Sequence, residues 1–111
     1  VATTRAPATF WAAGTGPKVE GDFKTQALSA FESLGERLSA AGLSFKDVVF
    51  LRLYVVPEKD GTSDGKARDE VYGQFFNNAK NAHKPARTTI AVSSLPRPDW
   101  KIEIDAIAVA P

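Results

Sequence analysis

Two residues in the last quarter of the chain have side chains suited to holding and hydrolysing a small anion. Arg87 carries a planar guanidinium that can grip a carboxylate with two parallel, charge-assisted hydrogen bonds. Glu103 carries a carboxylate that can position a water and move its proton. Each also has a plainer reading. Arg87 stands at the start of a β-rich run, where surface arginines are ordinary, and Lys101, Glu103 and Asp105 share one face of a strand as solvated residues do. Asp105 is the weaker candidate and is expected to pair with a basic neighbour. His83 lies among Lys80, Asn81 and Lys84 and reads as a solvated loop histidine. Gly14-Thr15-Gly16 lacks the following glycine and lysine of a phosphate loop, which argues against nucleotide-phosphate binding.

Composition narrows the chemistry further. The chain has no cysteine and one histidine, so thiolate catalysis, disulfides and thiolate-bound metal are excluded and a histidine-rich metal site is not expected. No cofactor is implied. A net charge of +1 offers no bulk attraction for nucleic acid, and no apolar run reaches the roughly 20 residues of a membrane-spanning helix. The 111 residues are expected to form one domain, 1–111, without internal repeat or low-complexity linker. Because the first residue is Val1, removal of an upstream segment is expected, and the compartment is left open between cytoplasmic and exported.

The elements that would position these side chains follow from periodicity. Thr9 to Ala13 is a short aromatic strand stopped by Gly14-Thr15-Gly16-Pro17. From about Asp22 to Ala41 the residues Ala27, Phe31, Leu34, Leu38 and Ala41 recur at helical spacing, with Asp22 and Gly42 as caps. Val48 to Val56 is the strongest strand signal. Its alternation puts Val49, Leu51, Leu53 and Val55 on one side and Val48, Phe50, Tyr54 and Val56 on the other. After a polar loop, Glu58 to Gly65, a second helix is predicted over about Lys66 to Ala79, then strands over Arg87 to Val92 and Lys101 to Val109.

The order β-α-β-α-β-β gives an α+β fold in which two helices can cover only one face of the sheet. Since the Val48–Val56 strand is apolar on both sides, the uncovered face is expected to be buried by another subunit. The alternative is that the amino-terminal residues and the 58–65 loop fold over it.

At this point a resemblance becomes specific. Lys84-Pro85-Ala86-Arg87-Thr88-Thr89, then Leu95-Pro96, then Ile102-Glu103-Ile104-Asp105-Ala106-Ile107-Ala108 resembles the signature of the Rid (reactive intermediate deaminase) family, also called YjgF or L-PSP endoribonuclease. Ala41-Gly42-Leu43, Asp47-Val48-Val49, Tyr54 and Tyr72-Gly73-Gln74-Phe75-Phe76 fit the same pattern in order, so coverage runs from about Phe10 to the end. The resemblance implies a chorismate-mutase-like fold: a mixed sheet with two helices on one face, assembled as a homotrimer around a central barrel with ligand sites at the clefts between subunits. It implies hydrolysis of enamines and imines such as 2-aminoacrylate to 2-keto acids and ammonia. Arg87 would then bind the carboxylate, Glu103 would serve the water, and the amides near Gly14 and Thr89 would complete the pocket.

Departures from the family pattern bear on activity. Ala13 stands where many members have serine, Asp69 where asparagine is frequent, and Lys84 where an aromatic or aliphatic residue is usual. Typical members carry a front strand and a Gly-Pro-Tyr motif, whereas only Val1 to Thr9 precedes the aromatic strand here. That part is expected either to have been removed or to be dispensed with in this lineage. The 58–65 loop is longer, and Pro98-Asp99-Trp100 adds a residue. These features resemble a divergent branch that is often exported in bacteria. Three functions follow in order of preference: an imine hydrolase acting on a small carboxylate-bearing imine; a trimer that binds such molecules or keto acids without turnover, or acts as a chaperone; and a ribonuclease, ranked last for want of a basic stripe or a histidine pair. Trp11 and Trp100 are expected to be core or interface aromatics, with Trp100 also able to wall a pocket.

Overall fold

The computed structural model describes residues 8–110. The elements are β1 (Thr9–Thr15), α1 (Phe23–Ala40), a short 3-10 turn (Phe45–Asp47), β2 (Val48–Val55), α2 (Gly65–Phe75), β3 (Ala86–Ala91) and β4 (Ile102–Val109). The four strands form one mixed sheet in the order β1-β4-β2-β3. β4 runs antiparallel to both β1 and β2, whereas β3 is parallel to β2. A parallel pair needs a crossover, and α2 supplies it.

Both helices pack on the same face. Ala27, Phe31, Leu34 and Leu38 of α1 and Ala67 and Val71 of α2 meet Leu51, Leu53 and Val55 of β2 and Ile102, Ile104, Ala106 and Ala108 of β4 in one core. Burying a side chain the size of leucine or phenylalanine contributes roughly 1.5–3 kcal/mol, so this layer supplies most of the folding free energy. The Asp22 carboxylate accepts the Thr25 N–H at 2.8 Å and starts α1, while Leu43 N–H closes its end onto the Leu38 carbonyl at 2.8 Å. An aromatic group ties the helices together. Phe31 stacks on Phe75 at 5.3 Å, and Phe45 meets Phe76 edge-on at 5.4 Å.

Three boundaries differ from the sequence expectation. β1 does not stop at Ala13 but continues to Thr15 through a bulge, which Gly14 permits with φ +68. α2 ends at Phe75 and not near Ala79. Asn77 turns left-handed with φ 54, and the Asn78 side chain donates to the Gly73 carbonyl while accepting the N–H groups of Lys80 and Asn81, each at 2.9 Å. In β2 a register shift between Val48 and Phe50 reverses the expected sides at its start: Val48 is buried with Leu51 and Leu53, and Val49 is 44% exposed.

Among the described residues nothing covers the other face of the sheet. Trp11 is 71% exposed and Ile90 37%, with Phe50 and Ile107 half-buried between them. The Glu58–Gly65 loop does not cover this face; Glu58, Thr62, Ser63 and Asp64 line a crevice with Phe23 and Arg68 instead. The amino-terminal part of the alternative cover, residues 1–7, lies outside the described residues.

Candidate functional site

β3 is an edge strand, and its parallel register with β2 decides where its side chains go. Arg87 pairs with Leu51 and Thr89 with Leu53, both of which point into the helix-covered layer, so Arg87 and Thr89 share that side of the sheet. Arg87 lies beyond the core, against the outer flank of α2. Its guanidinium sits over the Tyr72 ring, 4.5 Å from the centroid, and Nη2 is 3.6 Å from Asp69 Oδ1. At 3.6 Å that contact is an ion pair without a hydrogen bond. Among the described residues the guanidinium makes no hydrogen bond, which leaves its fork open to a ligand. Asp69 is shared: Arg68 Nε approaches the same oxygen at 3.4 Å. Burial pushes the Tyr72 phenol up, and the Arg87 charge partly opposes this.

Glu103 belongs to the opposite side. It alternates with the buried Ile102 and Ile104 and lies across from Tyr54, so its half-buried carboxylate faces the open surface. Burial raises its proton affinity above that of an ordinary glutamate, and the neighbouring Asp105 charge raises it further. Asp105 pairs with a basic neighbour as expected: Arg52 Nη1 is 3.9 Å from Oδ2. Its other oxygen accepts the Gly14 N–H at 2.9 Å. Arg52 in turn donates to the Tyr54 hydroxyl at 3.3 Å and lies over the Phe50 ring.

The four residues expected to form a site therefore fall into two pairs. Gly14 and Glu103 gather around Asp105 at the open face, while Arg87 and Thr89 lie on the helix side of the far edge strand. One chain does not bring Arg87 and Glu103 together. Three further residues were not legible as parts of these two groups: Asp105 as the partner of the Gly14 amide, Tyr72 as the platform under Arg87, and Asp69 as its counter-charge. The parity of β4 gave a hint of the first, since Glu103 and Asp105 must share a face.

A wide concavity lies elsewhere. A cleft of about 590 Å³ opens between Gly14–Glu20, the Ser33–Arg37 part of α1 and Arg97, Asp99 and Trp100; neither Arg87 nor Glu103 lines it. Trp100 does wall this cleft. Its ring lies so close to Gly16 that a Cβ there would come within 2.3 Å of it, and the buried Gln26 holds the segment by donating to Asp99 O and accepting from Lys101 N–H. His83 departs from expectation. It is half-buried, and its Nε2 donates to the Val48 carbonyl at 2.5 Å, tying the loop to the bulged start of β2. Among the described residues no group of three or more His, Asp or Glu side chains converges as a metal site requires, and no helix is long and apolar enough to cross a membrane.

The fold agrees with what is similar to this chain. The family described as Endoribonuclease L-PSP matches residues 4–110, and the chain belongs to that family, the Rid/YjgF/L-PSP group. Protein DfrA of Myxococcus xanthus is 41% identical over 92 residues, 83% of this chain and 63% of that protein. A RutC family protein of Pyrococcus horikoshii is 40% identical over 94 residues, 85% of this chain and 68% of its own length. Escherichia coli TdcF, provisionally named a reactive intermediate deaminase, is 33% identical over 92 residues, 83% of this chain and 67% of that protein. The chain thus spans about two thirds of the length of these relatives. The crystal structure of TdcF with bound serine superposes with a TM-score of 0.79 at 26% identity, covering 100% of this chain and 91% of that one. The YjgF gene product of Escherichia coli gives 0.79 at 30% identity, over 93% and 81% of the two chains.

Proposed function

We propose that this protein hydrolyses small carboxylate-bearing imines and enamines, of the type of 2-aminoacrylate, to 2-keto acids and ammonia at clefts between the subunits of a homotrimer. The observation that carries this reading is the division of the two residue groups between the two sides of the sheet, next to an open apolar face. A second copy seated on that face can bring the Arg87 and Thr89 of one subunit to the Gly14 and Glu103 of another. TdcF, a relative of this chain, binds serine, an amino acid of the same size class, which supports a small carboxylate as ligand.

The chemistry follows from the groups. Arg87 fixes the carboxylate by its fork. Glu103 takes a proton from water as the oxygen bonds to the imine carbon, and the C=N π electrons move onto nitrogen. The proton held by Glu103 is then delivered to that nitrogen, giving a carbinolamine. Glu103 next takes the carbinolamine hydroxyl proton and passes it to the nitrogen, so that the C–N bond breaks, ammonia leaves and the C=O forms. An enamine first gains a proton at carbon and loses one from nitrogen to become the imine. Raised proton affinity suits Glu103 to this exchange, since it is then a stronger base toward water than an ordinary glutamate.

A binding protein without turnover is the second reading, favoured by Ala13 and by the engagement of the Gly14 amide with Asp105. Two variants separate the readings. Arg87→Lys keeps the charge and removes the fork, so 2-ketobutyrate affinity should fall by on the order of 1–3 kcal/mol in calorimetric titration. Glu103→Gln keeps the shape and removes the base, so hydrolysis of 2-aminoacrylate generated by a coupled dehydratase should fall about a hundredfold while keto-acid binding persists. Turnover at the parent rate in Glu103→Gln would remove that residue from the chemistry. A parent that binds keto acids but never exceeds the buffer rate would leave the binding reading standing.

A further inference from the structure

Arg87 does not meet a ligand as a bare cation. Asp69 stands 3.6 Å from its Nη2 on an exposed flank of α2, with its carboxylate 60% accessible, and Tyr72 lies under the guanidinium plane. Two effects of Asp69 on a bound carboxylate have opposite signs. As an ion-pair partner it helps to orient the guanidinium. As an anion beside the fork it repels whatever anion the fork receives.

The geometry decides between them. The pair is a single contact beyond hydrogen-bonding distance between exposed groups, a kind that contributes little to holding a side chain in place. The Tyr72 ring covers the guanidinium face at 4.5 Å and keeps its orientation whether or not Asp69 is charged. Repulsion is therefore the larger consequence. With Arg68 approaching the same Asp69 oxygen, the three groups carry a net charge of one positive unit shared over two arginines, so the fork offers directional hydrogen bonds more than bulk attraction.

We infer that Asp69 is a specificity-determining residue of this site: it lets Arg87 hold a ligand with one carboxylate and discriminates against ligands with two. This rests on the reading of Arg87 as the carboxylate anchor. Each ligand charge is repelled separately, so a dicarboxylate carries a larger penalty than a monocarboxylate, approaching its square as the second carboxylate comes as near to Asp69 as the first.

The test compares Asp69→Asn with the parent by calorimetric titration with 2-ketobutyrate, which has one carboxylate, and 2-oxoglutarate, which has two. Asparagine keeps the size and leaves a carbonyl oxygen beside Arg87 while removing the charge. The variant should bind 2-ketobutyrate about threefold more tightly and 2-oxoglutarate on the order of tenfold more tightly, each relative to the parent with the same ligand. Both gains should shrink towards none in 1 M salt, where the screening length is about 3 Å. A merely structural role would not be salt-dependent and would weaken binding. Unchanged or weakened affinities in Asp69→Asn, with a parent whose binding depends on Arg87, would overturn the role of Asp69 and leave the anchor intact. A parent that binds neither acid, or binds both equally well as Arg87→Lys, would overturn the anchor and this inference with it.

Discussion

The two faces of the sheet are built from the same strands and do opposite work. On β4 the even-numbered residues Ile102, Ile104, Ala106 and Ala108 are buried under the helices, while Glu103 and Asp105 between them stay half-exposed beside Arg52 and Tyr54. Among the described residues the covered side leaves no buried side-chain polar atom without a partner. The open side mixes large apolar groups, Trp11, Phe50 and Ile107, with charges that neutralise one another only loosely. Burial and charge are thus separated by parity along one strand. A substitution at an even position of β4 is a folding experiment, and one at Glu103 or Asp105 tests the proposed function.

The largest effect expected of that contrast is in the covered layer. Phe31 is fully buried and touches Phe75 and Phe76, so Phe31→Ala should cost about 3–5 kcal/mol, a large part of the stability of a domain this size. Urea denaturation at fixed protein concentration measures it. A loss below about 1 kcal/mol would mean that the helix layer is not the main source of stability.

The open face should respond differently. Trp11 is mostly exposed in a single chain, so Trp11→Glu should change the intrinsic stability of a subunit by no more than about 0.5 kcal/mol. If another copy covers this face, the same change puts a charge into an apolar contact and abolishes association. Light scattering coupled to gel filtration should then report a trimer for the parent and a monomer for the variant. A parent that runs as a monomer at micromolar concentration breaks the comparison, because the open face would be a resting surface and the two residue groups would never meet.

How far these two faces could be read beforehand depended on the range of the interactions that define them. The α1 stripe, the Asp22 cap and the alternation of β4 are local patterns, and each was legible. The bulges in β1 and β2 were not, because an extra residue between paired strands is a property of the pair; in β2 it exchanged the roles of Val48 and Val49. The early end of α2 depended on Asn77 and Asn78 outcompeting a helical pattern that Phe75 and Phe76 extend in the sequence. The site divided in the same way. That Glu103 and Asp105 share a face follows from spacing alone, but the side taken by Arg87 depends on its register with Leu51, thirty-odd positions away in sequence, and no local pattern encodes that.

The smallest expected effect bears on the open face alone. Glu103 is raised by burial first and by Asp105 second, so Asp105→Asn removes the second contribution and leaves the first. Asparagine can still accept the Gly14 N–H, which keeps the β1 bulge in place. In the proposed role of water-activating base Glu103 must be ionised, and a raised carboxylate fills its ionised form only above its elevated value. The acid limb of kcat/KM for imine hydrolysis should therefore lie above the ordinary glutamate range in the parent and move down by a fraction of a pH unit in Asp105→Asn. Stability carries the opposite sign. A folded state that holds its proton more tightly than the unfolded chain loses stability as pH rises between the ordinary and the raised values, and the variant should lose less of it over that window. Rate profiles and urea midpoints measured across the same pH range test both signs together. An acid limb that stays put or moves up in Asp105→Asn would show that Glu103 does not titrate in the reaction, and the open face would then hold the charge cluster for assembly and not for catalysis.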